Sequence, residues 1–143
     1  MEDAYPTCRF YVEMDNDTRA VFTEVSGLQM ETEVEEHPEG GNNSFVHYLP
    51  GRTKVGRLTL KRGIVSTNDF LDWYSKIVQG DIEHRNLSIV VYDVAGTELI
   101  RWNFLKAFPV KWVGPQLTAD GSMMAVETIE LVHEGMTFAA SPR

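Results

Sequence analysis

The feature that most constrains this chain is alternation: through most of its length apolar residues recur at every second position, the period of strands that bury one face. Phe10, Val12 and Met14 fall on one side with Arg9, Tyr11 and Glu13 on the other, and the run Asp15, Asn16, Asp17 turns the chain into a segment from Ala20 to Val25, which predicts a hairpin. From Met30 the contrast sharpens. Met30 and Val34, with Thr32 between them, predict a row facing the core, whereas Glu31, Glu33 and Glu35 form an acidic row opposite. Phe45 to Leu49 resumes a strand, Pro50 and Gly51 predict a turn, and Val55 to Lys61 alternates again. Leu87 to Tyr92 and Leu99 to Phe104, joined through Ala95 and Gly96, predict a second hairpin with Ile100, Trp102 and Phe104 on one face. Pro109, Gly114 and Pro115 are expected to interrupt the next stretch, and Met123 to His133 reads as a closing strand with room for a bulge.

One segment has a helical period instead. Phe70, Trp73, Tyr74 and Ile77 fall at i, i+3, i+4 and i+7 and predict the core face of a helix; Ser66 and Asp69 resemble a capping box, and Gly80 supplies the stop. The expected class is mainly β (α+β): an antiparallel barrel or sandwich with one flanking helix, in a single domain over residues 1–143.

Charge and cysteine content narrow the function classes. Thirteen Lys and Arg against 21 Asp and Glu give a net charge of -8, which repels a phosphate backbone and anionic lipid alike. Cys8 is the only cysteine, so neither an intrachain disulfide nor a multi-cysteine zinc site can form, and it reads as a small buried hydrophobe. No stretch approaches the ~18 consecutive apolar residues of a membrane helix. Met1 to Pro6 is acidic with no apolar run behind it, so the expectation is no cleaved signal, no membrane insertion, and synthesis in the cytoplasm.

Residue spacing argues against catalytic and metal-binding sites. Gly40 and Gly41 are not followed by the Lys-Ser/Thr pair of a phosphate loop, and Glu24 stands where a nucleophile elbow before Ser26 needs glycine. His37, His47, His84 and His133 are scattered and read as surface residues; His37 and His47 could meet across a hairpin as a metal pair. Glu31, Glu33 and Glu35 stand in a row about 6.5 Å apart and do not converge on a cation. Trp73, Trp102 and Trp112 have too few cations nearby to stack bases in a basic groove and read as core or interface. The expectation is no catalytic residue, no metal and no cofactor.

Several short segments then add up. Phe22 to Leu28 contains F-x-E-V-S-G-L; Glu39 to Gly41 is E-G-G; Leu49 to Gly51 is L-P-G; Leu58 to Gly63 is L-T-L-K-R-G. Arg101 with Trp102, then Ala107 and Pro109, then Glu127 to Gly135 as E-T-I-E-L-V-H-E-G complete the order. The chain resembles the tail-tube protein family of contractile phage tails, in the branch serving extracellular contractile injection systems. That resemblance implies protomers joined in hexameric rings that stack into a hollow inner tube. The implied partners are further copies of the chain, a contractile sheath protein, a baseplate or tube-initiator protein, and luminal protein cargo or phage DNA.

On that expectation Glu31, Glu33 and Glu35 are candidates to line the lumen as a repelling, hydrated wall. The loop residues Glu39, Gly40, Gly41, Asn42, Asn43 and Ser44 are candidates for a ring-stacking tip, since glycine and asparagine leave a segment free to order on docking. Two alternatives stand beside the tube subunit: a tube-initiator paralogue on the baseplate, and a soluble barrel that binds a small ligand inside.

Overall fold

The structure is a computed structural model, and it describes residues 9–15, 18–38, 46–65, 68–121 and 125–140. The strands are β1 (Arg9–Met14), β2 (Thr18–Val21), β3 (Glu24–Ser26), β4 (Met30–Pro38), β5 (Val46–Val55) and β6 (Leu58–Gly63), then β7 (Arg85–Tyr92), β8 (Glu98–Val113), β9 (Val126–Val132) and β10 (Gly135–Ala140). The helix α1 (Asp69–Val78) lies between β6 and β7. Eight strands form one antiparallel path in the order β2-β1-β7-β8-β9-β6-β3, with β10 added on β8, and β4 and β5 form a separate two-stranded ribbon. The fold is therefore β-rich with one helix, as the alternation predicts, but the path is open and no ladder joins its two end strands.

Two bends turn this path into two layers over one core. On β8, the pairing with β7 shifts register between Arg85 and Leu87, and Lys106 takes a φ of 51° while its N–H donates to Asn86 Oδ1 at 3.1 Å. A second shift, between Pro109 and Lys111, leaves Val110 as the extra residue where β8 pairs with β9. Pro109 therefore does not interrupt the chain as its sequence suggested: it sits fully buried beside a bulge, where no ladder N–H is required. The other bend is at Phe22 and Thr23, where the predicted strand from Ala20 to Val25 splits: its first part pairs with β1 and its second with β6.

Inward residues from both layers meet in one cluster that includes Val12, Met14, Phe22, Leu58, Leu60, Leu87, Ile89, Phe104, Ile129 and Leu131. Helix α1 adds Phe70 and Trp73, both buried, with Ile77 packed against them, while Tyr74 is part-buried and donates its hydroxyl to the Val110 carbonyl at 3.2 Å. The helix does not begin at the expected capping box. Its N-cap is Asn68, whose side chain accepts from the Leu71 N–H, because that carboxamide is anchored in the polar network described below; Ser66 lies outside the described residues. Its end is as predicted: Gly80 at φ 95° lets its own N–H reach the Ile77 carbonyl and the Asp81 N–H reach that of Lys76.

Three further expectations change. Pro50 and Gly51 are not a turn but part of a continuous β5, where a register shift sets two residues against Glu33; the bulge absorbs the proline. The closing strand from Met123 to His133 is shorter, Val126 to Val132, and the chain then continues into β10, which the sequence reading did not foresee. Met30 and Val34 do not face the core. They are 54% and 60% exposed, because β4 pairs only with β5 and the ribbon carries no layer over either face. Cys8 and the tip residues Glu39 to Ser44 lie outside the described residues.

Candidate functional site: the uncovered ribbon and the sheet edges

Directly opposed residues in a ladder share a face, so the β4–β5 register sorts the ribbon into two surfaces. On one lie Met30 with Val55, Thr32 with Thr53, Val34 with Pro50, Glu36 with Tyr48, and Pro38 with Val46. The two threonine hydroxyls bond each other at 2.9 Å, so even the polar pair at its centre turns its hydrogen bonding inward. The other surface carries Glu31, Glu33, Glu35 and His37, faced by Lys54, Leu49 and His47. Lys54 stands opposite Glu31 and bonds Glu33 at 3.0 Å, so the strip is acidic but partly offset. Glu36 interrupts this face, yet Met30, Val34 and Tyr48 are left 54%, 60% and 64% exposed on it, an apolar surface that no described residue covers.

The sequence expectation that His37 and His47 could meet is reproduced in register, since they are direct partners across the ribbon. Among the described residues no group of three or more His, Cys, Asp or Glu could hold a metal ion. His133, read from the sequence as a surface residue, is buried edge-on against Phe104 at 4.9 Å. Burial pushes its imidazole below the usual histidine value, and its Nδ1–H donates to the Gly135 carbonyl at 3.2 Å.

A polar network that spacing could not reveal ties β6, β8 and β9 to the start of the helix. Glu127 is 1% exposed; its carboxylate accepts from Arg62 Nε at 2.7 Å, from Asn68 Nδ2 at 2.8 and 3.0 Å, and from Trp112 Nε1 at 3.0 Å. Arg62 also donates to Asn68 Oδ1 at 2.9 Å and lies over the rings of Phe22 and Phe70, at 4.7 and 5.6 Å. Burial pushes the Glu127 carboxyl up, but the hydrogen bonds from Trp112, Arg62 and Asn68 outweigh it and hold the group below the ordinary carboxylate value. On the opposite face of the β1 layer, Arg101 donates to Glu13 at 2.6 Å and to Glu98 at 3.0 Å; the bonds from Glu98 and then Glu13 raise its affinity for the proton.

Three of these residues belong to the short segments above: Arg62 precedes the closing glycine of L-T-L-K-R-G, Glu127 opens E-T-I-E-L-V-H-E-G, and Arg101 starts R-W. Gly27 in the S-G-L step has its own reason. At φ 90°, an added Cβ would lie 1.8 Å from the Arg57 carbonyl oxygen, so only glycine fits where the chain leaves β3 for the ribbon.

Among the described residues the sheet keeps unpaired edge strands and the ribbon is uncovered, surfaces of the kind that assembling proteins present to other chains. Comparison with known proteins makes the class specific: the model of the T4-like virus tail tube protein gp19 family matches residues 6–137, and the chain belongs to that family. Among solved structures, the anti-feeding prophage tube-terminating cap contains a chain 28% identical over 99% of this protein and 94% of its own length, with a TM-score of 0.87. The sheath-tube complex of the PVC extracellular contractile injection system in its extended state contains one that is also 28% identical, over 98% and 94%, with a TM-score of 0.86. A chain of the anti-feeding prophage baseplate, 23% identical over 98% of both chains with a TM-score of 0.85, shares the fold. No curated protein matches the sequence significantly.

Proposed function

We propose that this chain is the structural subunit of the inner tube of a contractile injection system, assembling into stacked hexameric rings around a lumen through which cargo passes. The single observation that carries the reading beyond family membership is the β4–β5 ribbon. Among the described residues nothing of its own protomer covers either face, and a neighbouring subunit would cover the side that carries Met30, Val34 and Tyr48. The sheath protein would wrap the outside, a baseplate protein would seed the first ring, and the lumen would carry protein cargo or DNA. In this arrangement the ribbon docks through Met30, Val34 and Tyr48, and the strip of Glu31, Glu33 and Glu35 stays hydrated and turns to the lumen. Residues Glu39 to Ser44, which join β4 to β5 in sequence and lie outside the described residues, would contact the next ring.

Two observations weigh against a small-ligand barrel: the interior is filled by Leu58, Phe70, Trp73, Phe104 and Ile129, and the layers bend over a packed core rather than around a cavity. The initiator reading shares every feature of the protomer and differs only in stopping after one ring. Negative-stain microscopy of the purified chain tests the proposal. Stacked rings with a central hole are expected at high protein concentration; single rings that never stack favour the initiator, and monomers at every concentration overturn both.

A further inference from the structure

The two edges of the β1 layer fit each other. This layer runs β10-β8-β7-β1-β2, and cross-strand register carries one core-facing row along it from Val12 through Ile89 and Trp102 to Phe138 on β10. The row ends at Phe138 because no described strand lies beyond β10, and the ring is 67% exposed. At the far edge, β2 pairs with β1 only from Tyr11 to Met14 and then turns away, its successor Thr23 bonding Lys61 at 2.8 Å. Arg9 and Phe10 are left without a described strand on that side. The vacated space is a cleft of about 330 Å³ lined by Arg9, Phe10, Tyr11, Val21, Phe22 and Thr23. Phe10 stands in the next core-facing row, opposite Val91 and hence Ile100, so the cleft lies on the same side of the sheet as Phe138.

Strand sense adds an independent constraint. Every neighbouring pair in the layer is antiparallel, so β10 runs opposite to β1 and in the same sense as β2. A rotational ring keeps all subunits pointing one way, so β10 of one copy can pair antiparallel with the uncovered edge of β1 in the next, lying end to end with β2. The geometry points to a keyed ring contact: Phe138 of each subunit enters the cleft between Phe10 and Phe22 of its neighbour, and the two sheets continue into one. The occupant is a second copy of this chain, because the knob and the socket sit on opposite edges of a single sheet, on the same side of it and one row apart, with the strand sense that pairing needs. This contact rests on the tube reading and specifies which residues close the ring.

Two measurements test it in the full-length chain. Phe138→Ala removes an exposed side chain, so the monomer should melt as wild type does, while half-assembly into rings should need about 30-fold more protein, the effect of losing one buried aromatic anchor. In a Cys8→Ser background, a chain carrying both Phe10→Cys, on the same side of the sheet as Phe138, and Phe138→Cys should oxidise into a ladder of linked subunits that ends at the closed ring. Rings from Phe138→Ala at the wild-type concentration, or double-cysteine rings that give no ladder, overturn the contact and leave the tube reading standing. A cleft closed by another part of the same chain gives that second result. Failure of the wild-type chain to form rings at all overturns the tube reading and this contact together.

Discussion

At Glu127 one buried carboxylate ties together β9, the helix cap at Asn68, Arg62 on β6 and Trp112 on β8. Removing a single partner leaves an uncompensated buried charge, so Arg62→Ala should cost about 3–5 kcal/mol in urea unfolding, more than any surface ion pair here. The pH dependence has a definite sign. Because the folded carboxyl titrates below its unfolded value, its stabilisation is complete above the ordinary carboxylate pKa and is lost as pH falls toward and through the folded one. His133 acts in the same direction one step higher: its imidazole is depressed by burial, so the unfolded chain takes up that proton first as pH drops below the ordinary histidine value. Unfolding free energy measured from pH 7 downward should therefore fall in two stages, and His133→Gln should remove only the upper one.

Among the elements, the ribbon is where fold and function separate. Its faces hold no core residue, so Val34→Lys should change monomer stability by no more than about 0.5 kcal/mol while preventing assembly. Chemical denaturation of the dilute protein and light scattering of the concentrated one read the two effects independently. A large loss of monomer stability would mean that the apolar face of the ribbon already packs on its own protomer. The bulge that sets two β5 residues against Glu33 keeps the remainder of that strand in register past Pro50 and sustains the apolar face along its length.

For the whole molecule, the expectation is a protomer that folds alone and a surface that is complete only in the tube. Deleting Gly40 to Ser44, the segment between β4 and β5 in sequence, removes none of the residues of the core cluster, so the variant should melt as wild type and form rings that do not stack. Tubes of normal length from it would show that stacking lies elsewhere. The glutamate strip gives a second test at this scale. Like charges gathered around a narrow lumen are screened over only ~8 Å at physiological salt, so tube growth should rise with salt. The triple variant Glu31→Gln, Glu33→Gln and Glu35→Gln should polymerise at lower salt than wild type. Lys54, already bonded to Glu33, makes the difference smaller than three bare carboxylates would give. Coincident salt curves would place the strip on the outer surface.

The sequence by itself determined the elements that local chemistry controls. Period-two alternation identifies β1 and the β7–β8 hairpin, 3.6-residue spacing identifies the buried face of α1, and Gly80 ends the helix, because each depends on neighbours a few residues apart. The ordered short segments were enough to indicate the family as well. Only the tertiary structure decided which strands share a sheet. Met30 and Val34 carry the same local pattern as Val12 and Met14, yet one pair is exposed and the other buried, since burial depends on what packs above a face and not on the face itself. Pro50 and Pro109 read as breaks until pairing with a second strand sets a bulge next to each of them in its own strand. Arg62 and Glu127, 65 residues apart, meet only when β6 and β9 pair, and Phe138 becomes an edge only because β10 is laid against β8 with nothing described beyond it. Sequence patterning fixes which side of a strand is apolar; the long-range pairing of strands fixes whether that side is covered by the same chain or left for another.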